Sequence, residues 1–441
     1  MIVSSFSYVL LFFVCKTIHC SVAHNVALIF TQKGFALRHR PSTIEQRLSV
    51  TSTLTFDTTT TTTTTTASSD DTNGQSNNNN KRYSLTFPNP IGLAAGFDKD
   101  GQAIQQLLDM GFGSVEIGTV TPKPQSGNAK PRMFRLVDDF GIINRYGFNS
   151  QGADAVEENL KAFRDAQRNQ ESPPPEPAVT TLQWLKSRLY SPAKPARGLL
   201  GINIGKNKTT EDAKVDYVHN IYQLGPYADY IVINISSPNT PNLRDLQKAE
   251  ALADLVQACL EARNQLSKPV PLLVKLAPDL TDEELQSMVP TLETVDGVVV
   301  TNTTNARPEF LVSSQNRDEI GGLSGAPLKN RSTEIIRKLY AMMNGNVFII
   351  GVGGVGSGAD AYEKLKAGAS VIQIYSMMIY EGPGCVSRIR HDLANLMDQD
   401  GYKELSDVIG RDHEQIFWRK RLEQQEASMK EQLKESTIVA E

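Results

Sequence analysis

Tyr230-Ile231-Val232-Ile233-Asn234-Ile235-Ser236-Ser237-Pro238-Asn239-Thr240 decides the fold of this 441-residue chain, because an apolar, β-branched run ends directly in hydroxyls and carboxamides. A strand of that composition is covered on both faces, and Pro238 cannot continue it, so Ser237 stands at the mouth of whatever the strand builds. Taken alone, the stretch also reads as a polar turn. Seven further runs behave in the same way, at residues 91–97, 114–119, 199–205, 272–277, 297–303, 348–354 and 371–376. Helix-like stretches fill most of the intervals, at 103–110, 211–224, 249–266, 282–292, 332–343 and 359–367. Strand and helix alternating eight times predict an α/β fold, a parallel (β/α)8 TIM barrel, here with a small N-terminal helical extension. Such barrels build their active sites on the C-terminal strand ends and the loops that follow. Those ends carry Lys99, Thr119, Asn203, Asn234, Ser237, Lys275, Asn302, Gly353, Gly354, Tyr375 and Ser376.

The chain is longer than the roughly 250 residues of one barrel, and the surplus lies at both ends and in one excursion. We read residues 1–40 as an apolar segment with a helix and 41–82 as a low-complexity, Thr/Asn-rich linker. Residues 83–413 form the barrel and 414–441 a charged tail. The linker holds nine consecutive threonines at 58–66 and too few apolar residues to offset the entropy of ordering. Residues 170–177, with three successive prolines, read as a surface loop between two helical stretches after the second strand. Residues 414–435 read as a solvated helix.

Hydrophobic residues make up 40% of the chain and charged residues 21%, and the formal net charge is -4, which argues against a nucleic-acid partner held by bulk charge. Cys15, Cys20, Cys259 and Cys385 lack metal-ligand spacing, so neither a disulfide framework nor a metal site is expected. Residues 2–14 are apolar but short of the roughly twenty needed to span a bilayer. Their length suits a secretory signal, yet no Lys or Arg precedes them. Val22, Val26, Ile29 and Phe30 follow at helical spacing, with Lys33, Arg38 and Arg40 beyond. A helix on a membrane surface and a helix capping the barrel both fit this pattern.

Gly351-Val352-Gly353-Gly354-Val355 and Tyr375-Ser376 follow the seventh and eighth strands, where barrels commonly bind phosphate through backbone amides. Residues 321–325, Gly-Gly-Leu-Ser-Gly, are expected to add amides from the preceding loop. A phosphorylated cofactor or substrate is therefore expected. The ammonium groups of Lys99 and Lys275 are costly to desolvate unless they meet an anion or an electron-rich ring, the alternative being ion pairs with Asp98 or Asp279. Asn144, Asn149, Asn203, Asn234, Asn239 and Asn302 each offer a donor and an acceptor, which suits a cyclic imide or amide. No His or carboxylate appears among those strand-end residues as an obvious base, so Ser237 is the leading candidate by elimination.

Six motifs occur in order: Asn89-Pro90-Ile91-Gly92-Leu93-Ala94-Ala95-Gly96-Phe97-Asp98-Lys99, Gly118-Thr119-Val120-Thr121-Pro122-Lys123-Pro124-Gln125, Ile143-Asn144-Arg145-Tyr146-Gly147-Phe148-Asn149, Asn234 to Thr240, Val300-Thr301-Asn302-Thr303 and Gly351 to Val355. Over residues 87–413 they resemble the dihydroorotate dehydrogenases of the membrane-associated, quinone-linked class. The resemblance implies oxidation of dihydroorotate to orotate in pyrimidine biosynthesis, hydride passing to FMN and electrons on to ubiquinone. It implies FMN on Ala95, Gly96, Lys99, Thr119, Asn203, Asn234, Lys275, Thr301, Ser324, Gly325, Gly353, Gly354, Tyr375 and Ser376. It implies dihydroorotate on Lys99, Asn144, Arg145, Tyr146, Gly147, Phe148, Asn149, Asn234, Asn239, Asn302 and Thr303, with Ser237 as the base. Soluble relatives, which use fumarate or NAD, carry cysteine in place of that serine; a fumarate-linked or other pyrimidine-specific flavin enzyme is the alternative, and a flavin-free barrel scaffold a more distant one. The class further implies a quinone tunnel, onto which His24, Ala27, Phe30, Arg135 and Tyr375 carry over, and attachment to the mitochondrial inner membrane, peripherally or by one N-terminal anchor. No obligate protein partner is expected. Residues 1–20 do not match the family's first tunnel helix, which points to a different start or an upstream exon.

Overall fold

The computed structural model describes residues 85–171, 197–268 and 270–419, with Leu48, the strand Val50–Ser52 and positions 422, 426 and 429. His24, Ala27, Phe30, the threonine tract and most of the tail lie outside the described residues.

Eight parallel strands close on one another: Ile91–Leu93, Ser114–Val120, Leu199–Ile204, Tyr230–Asn234, Leu272–Leu276, Gly297–Val300, Ile349–Val352 and Val371–Ile374, the last pairing back onto the first through Ile372 and Ile91. They are the eight runs expected from the sequence. The strands are short and buried throughout, as Tyr230–Asn234 and Leu272–Leu276 show at every position, because helices cover the outer face while side chains fill the barrel. Register sets Asn234 beside Lys275 at the mouth.

Local chemistry starts the outer helices where the periodicity places them. Thr281 and Glu284 form a reciprocal capping box at the head of Asp282–Leu292, which turns Leu285, Met288, Val289 and Leu292 inward. Asp212 caps Ala213–Leu224 and Ser357 caps Gly358–Lys366 through the amides of Lys214 and Asp360. The second strand is followed by the long helix Ala153–Glu171.

A second sheet, of antiparallel strands Met133–Leu136, Gly141–Asn144 and Gly322–Gly325 with Gly141–Asn144 in the centre, was not foreseen. Its strands are four residues long, too short for alternation to stand out. It corrects the expectation of a free glycine loop at 321–325. Leu323 exchanges both backbone hydrogen bonds with Thr304, so that segment presents the Ser324 side chain rather than a run of open amides. At the opposite end, Leu85–Phe87 pairs with Val50–Ser52, and Phe87 packs on Phe348 and Tyr230 with ring centroids 5.8 and 6.5 Å away.

Candidate active site

A cavity of about 430 Å³ opens at the C-terminal end of the barrel, under the small antiparallel sheet. The loops and strand ends bring to it Ala95, Gly96, Lys99, Thr119, Asn144, Tyr146, Gly147, Phe148, Asn234, Ser237, Asn239, Lys275, Thr301, Asn302, Thr303, Ser324, Gly325, Gly353, Gly354, Tyr375 and Ser376. These residues come from every strand of the barrel but the third, and their meeting follows from closure of the sheet.

Four expected residues stand off the wall. Asn203, on the third strand, is fully buried behind it, where its amide donates to Glu116 Oε1 at 2.8 Å and its carbonyl accepts from Thr119 Oγ1 at 2.6 Å and Asn234 Nδ2 at 3.0 Å. It orients wall residues and does not itself line the cavity. Arg145 turns away to Glu319 Oε2 at 2.6 Å and lies over the Phe134 ring. Asn149 does not line the cavity, and its Oδ1 is buried and unpartnered. Arg135 belongs to the small sheet, with Nε and Nη2 buried and unpartnered.

Sequence reasoning missed the carboxylate at the centre. Glu116 sits mid-strand inside the barrel, 0% exposed, accepting from Asn203 on one oxygen and from Gln373 Nε2 at 2.7 Å on the other. Its Oε1 lies 3.9 Å from Lys275 Nζ. Desolvation pulls the Lys275 ammonium below its ordinary pKa and Glu116 opposes that pull. Asp279, the partner weighed for Lys275 on sequence, instead pairs with Arg244 at 2.6 Å and with the Thr304 hydroxyl. Asp98, weighed for Lys99, instead accepts the Gln102 and Ala103 amides at 2.9 and 2.8 Å. The detectable signals were single polar residues in apolar runs, Glu116 in Ser114–Val120 and Gln373 in Val371–Ile374.

Ser237 is buried on the turn after the fourth strand, where its Oγ accepts the Asn239 amide at 3.3 Å. Asn239 Nδ2 reaches Asn144 Oδ1 at 3.3 Å and Asn302 Nδ2 reaches Asn234 Oδ1 at 3.2 Å, so the carboxamides form two linked pairs around the opening. Lys99 Nζ lies 4.5 Å from the Tyr146 ring centroid. Desolvation brings its pKa down to about 8, with Arg132 acting in the same sense and Asp100 against it. Gly354, at φ +73°, runs so close to the start of the preceding helix, Lys329–Met342, that a Cβ would lie 2.5 Å from Lys329 Cα. Only glycine fits there, and the turn stays open for an anion to reach its backbone.

The donor set fits a flavin nucleotide. A buried ammonium at Lys275, the unpartnered Gln373 Oε1 on the wall and the Gly353–Gly354 turn match, respectively, a ring that takes up negative charge, an N–H donor and a phosphate.

Residues 79–397 match the family described as Dihydroorotate dehydrogenase. A dihydroorotate dehydrogenase (quinone) of Rhodospirillum rubrum is 48% identical over 332 residues, covering 74% of this chain and 82% of the relative. A mitochondrial dihydroorotate dehydrogenase (quinone) of Oryza sativa subsp. japonica is 45% identical over 332 residues, covering 74% and 70%. The crystal structure of the Eimeria tenella DHODH in complex with ferulenol superposes with a TM-score of 0.73 at 38% identity, covering 90% of this chain and 96% of that one.

Proposed function

The chain belongs to the dihydroorotate dehydrogenase family, and from that premise we propose that it oxidises dihydroorotate to orotate in pyrimidine biosynthesis, using FMN and a quinone acceptor. One observation carries the reading: Lys99, Ser237 and the carboxamides of Asn144, Asn239 and Asn302 converge on one cavity that also holds Lys275 and the glycine turn. When bound, FMN supplies the hydride acceptor and the carrier that hands electrons to quinone.

The residues of the chain do the rest. Lys99 meets the substrate carboxylate, an anion that compensates its desolvated ammonium. The two carboxamide pairs present donors and acceptors to the cyclic amide edges and hold the ring flat against the cavity floor. Ser237 Oγ takes the proton from substrate C5 as its own hydroxyl proton passes to water; the Asn239 amide bonded to it fixes where its lone pairs point. Lys275, braced by Glu116, would place a positive charge beside the ring that accepts the hydride and with it negative charge. Thr119, Asn203 and Asn234 lock that floor together. FMN would be held by Ala95, Gly96, Thr301, Ser324, Gly325, Gly353, Gly354, Tyr375 and Ser376, all on the cavity wall.

The quinone side draws on different support. Val137 and Phe140, on the turn between two strands of the small sheet, and Phe310, Val312 and Ile320, on the loop tied to that turn through Asp139, are exposed apolar side chains, and the adjoining strand carries Arg135, whose Nε and Nη2 are buried and unpartnered. We take this as the barrel face of a tunnel completed by residues 1–40 with His24, Ala27 and Phe30, on the mitochondrial inner membrane, with 41–82 as a linker tied to the barrel through Leu48 and the strand Val50–Ser52, and 414–441 as tail. No described helix is long and apolar enough to cross a membrane.

The deciding experiment is an anaerobic visible spectrum of the purified protein, titrated with dihydroorotate and then given a ubiquinone analogue or fumarate. Bleaching of a flavin band and recovery with quinone alone is the expected result. Recovery with fumarate alone removes the quinone assignment, and a spectrum without flavin removes the whole reading.

A further inference from the structure

Lys364 is a buried ammonium that the chemistry above leaves without a task. It is 0% exposed on the helix Gly358–Lys366. Its Nζ donates to Ser332 Oγ at 2.6 Å, Thr333 Oγ1 at 2.7 Å and the Lys329 carbonyl at 3.2 Å, all uncharged acceptors. A cation in such a place is expensive unless an anion comes near. The charged groups around it come from two packed helices: Asp360 and Glu363 on its own, and Lys329 and Arg337 on Lys329–Met342. Asp360 is already held by Lys329 at 3.1 Å and by the Gly356 amide at 3.0 Å. Desolvation outweighs these neighbours and brings the Lys364 ammonium down to about 7.

Its place in the fold ties it to the glycine turn. Ser332 Oγ, the atom Lys364 grips, also lies 2.9 Å from the Gly353 carbonyl oxygen. That carbonyl belongs to the Gly353–Gly354 peptide, whose other end is the Gly354 amide on the cavity wall. We propose that Lys364 is a positioning residue for a phosphate monoester at this turn: through Ser332 it fixes the orientation of the Gly353–Gly354 peptide and lends positive charge to it from behind. The inference rests on the flavin-nucleotide reading of the cavity.

Riboflavin has the ring of FMN without the phosphate, so the two ligands separate this role from general stability. The full chain, freed of flavin by dialysis, is titrated with each, and bound flavin is read from fluorescence quenching. Lys364→Met is expected to weaken FMN about tenfold or more and riboflavin less than about twofold, the size of one charge-assisted contact. In the unaltered chain the advantage of FMN over riboflavin should shrink as pH rises from 7 to 9, where the phosphate is already a dianion and only the protein titrates. Lys99 titrates in the same window, and a flat Lys364→Met profile would assign the effect to Lys364. Ser332→Ala keeps the cation but removes the bridging hydroxyl; it should cause a smaller, FMN-selective loss, and with the pH profile it decides the matter if Lys364→Met does not fold. Equal loss of both ligands, or an FMN advantage that ignores pH in the unaltered chain, overturns the proposal while leaving the cofactor reading intact. Failure of the unaltered chain to bind either flavin overturns both.

Discussion

In the proposed reaction Ser237 is the base, and its hydroxyl oxygen accepts one backbone amide, that of Asn239 at 3.3 Å. A positioned base contributes on the order of 10²–10⁴ in rate. Ser237→Ala should therefore slow anaerobic flavin reduction by dihydroorotate by at least that lower bound, with FMN still bound. Stopped-flow absorbance is the check, and an unchanged rate removes Ser237 from the mechanism. Lys99 adds a pH signature. Its pKa is lowered to about 8 by desolvation, so the ammonium is present below that pH and is lost as pH rises through it. kcat/KM for dihydroorotate should fall about tenfold per unit well above pH 8, and Lys99→Met should abolish that limb. Both residues were legible in the sequence because each follows an apolar run at a strand end. Glu116 was not: a single acid in mid-strand shows its importance only when one knows which face of the strand looks into the barrel.

Strands here act as beams tied by one carboxylate. Glu116, on the second strand, accepts from Asn203 on the third and Gln373 on the eighth and faces Lys275 on the fifth, so four elements meet at one side chain. Glu116→Leu would leave one ammonium and two carboxamides buried without that acceptor. Removing one partner of a buried pair costs about 3–5 kcal/mol, and denaturant unfolding should show a loss of that size. A loss below about 1 kcal/mol would mean that water or a neighbour replaces the carboxylate. The barrel strands and the six helices read from periodicity were all recovered to within a few residues, since burial on both faces writes itself into composition. The three-stranded sheet escaped because its pairing joins residues 133–144 to residues 322–325, and no local pattern announces a partner that distant.

Across the whole molecule the two ends of the barrel divide the labour. Phe87 closes the N-terminal end on Phe348 and Tyr230, far along each strand from the cavity. Phe87→Ala should lower unfolding stability by about 3–5 kcal/mol and leave the FMN dissociation constant within about twofold in the folded protein. Deletion of residues 1–45 keeps Leu48 and the strand Val50–Ser52. It should spare flavin reduction by dihydroorotate and impair reoxidation by a ubiquinone analogue; full quinone turnover in the deleted protein would withdraw the tunnel assignment. By itself the sequence determined the barrel, the cavity end and most residues of its wall, because strand composition, period and the residues at strand ends are local properties. Tertiary structure alone decided that Asn203 and Arg145 stand off that wall, that Glu116 is the partner of Lys275, and that Lys364 lies behind the glycine turn. Those relations depend on strand register and on closure of the sheet, which bring together residues far apart in the chain, and no window along the chain contains them.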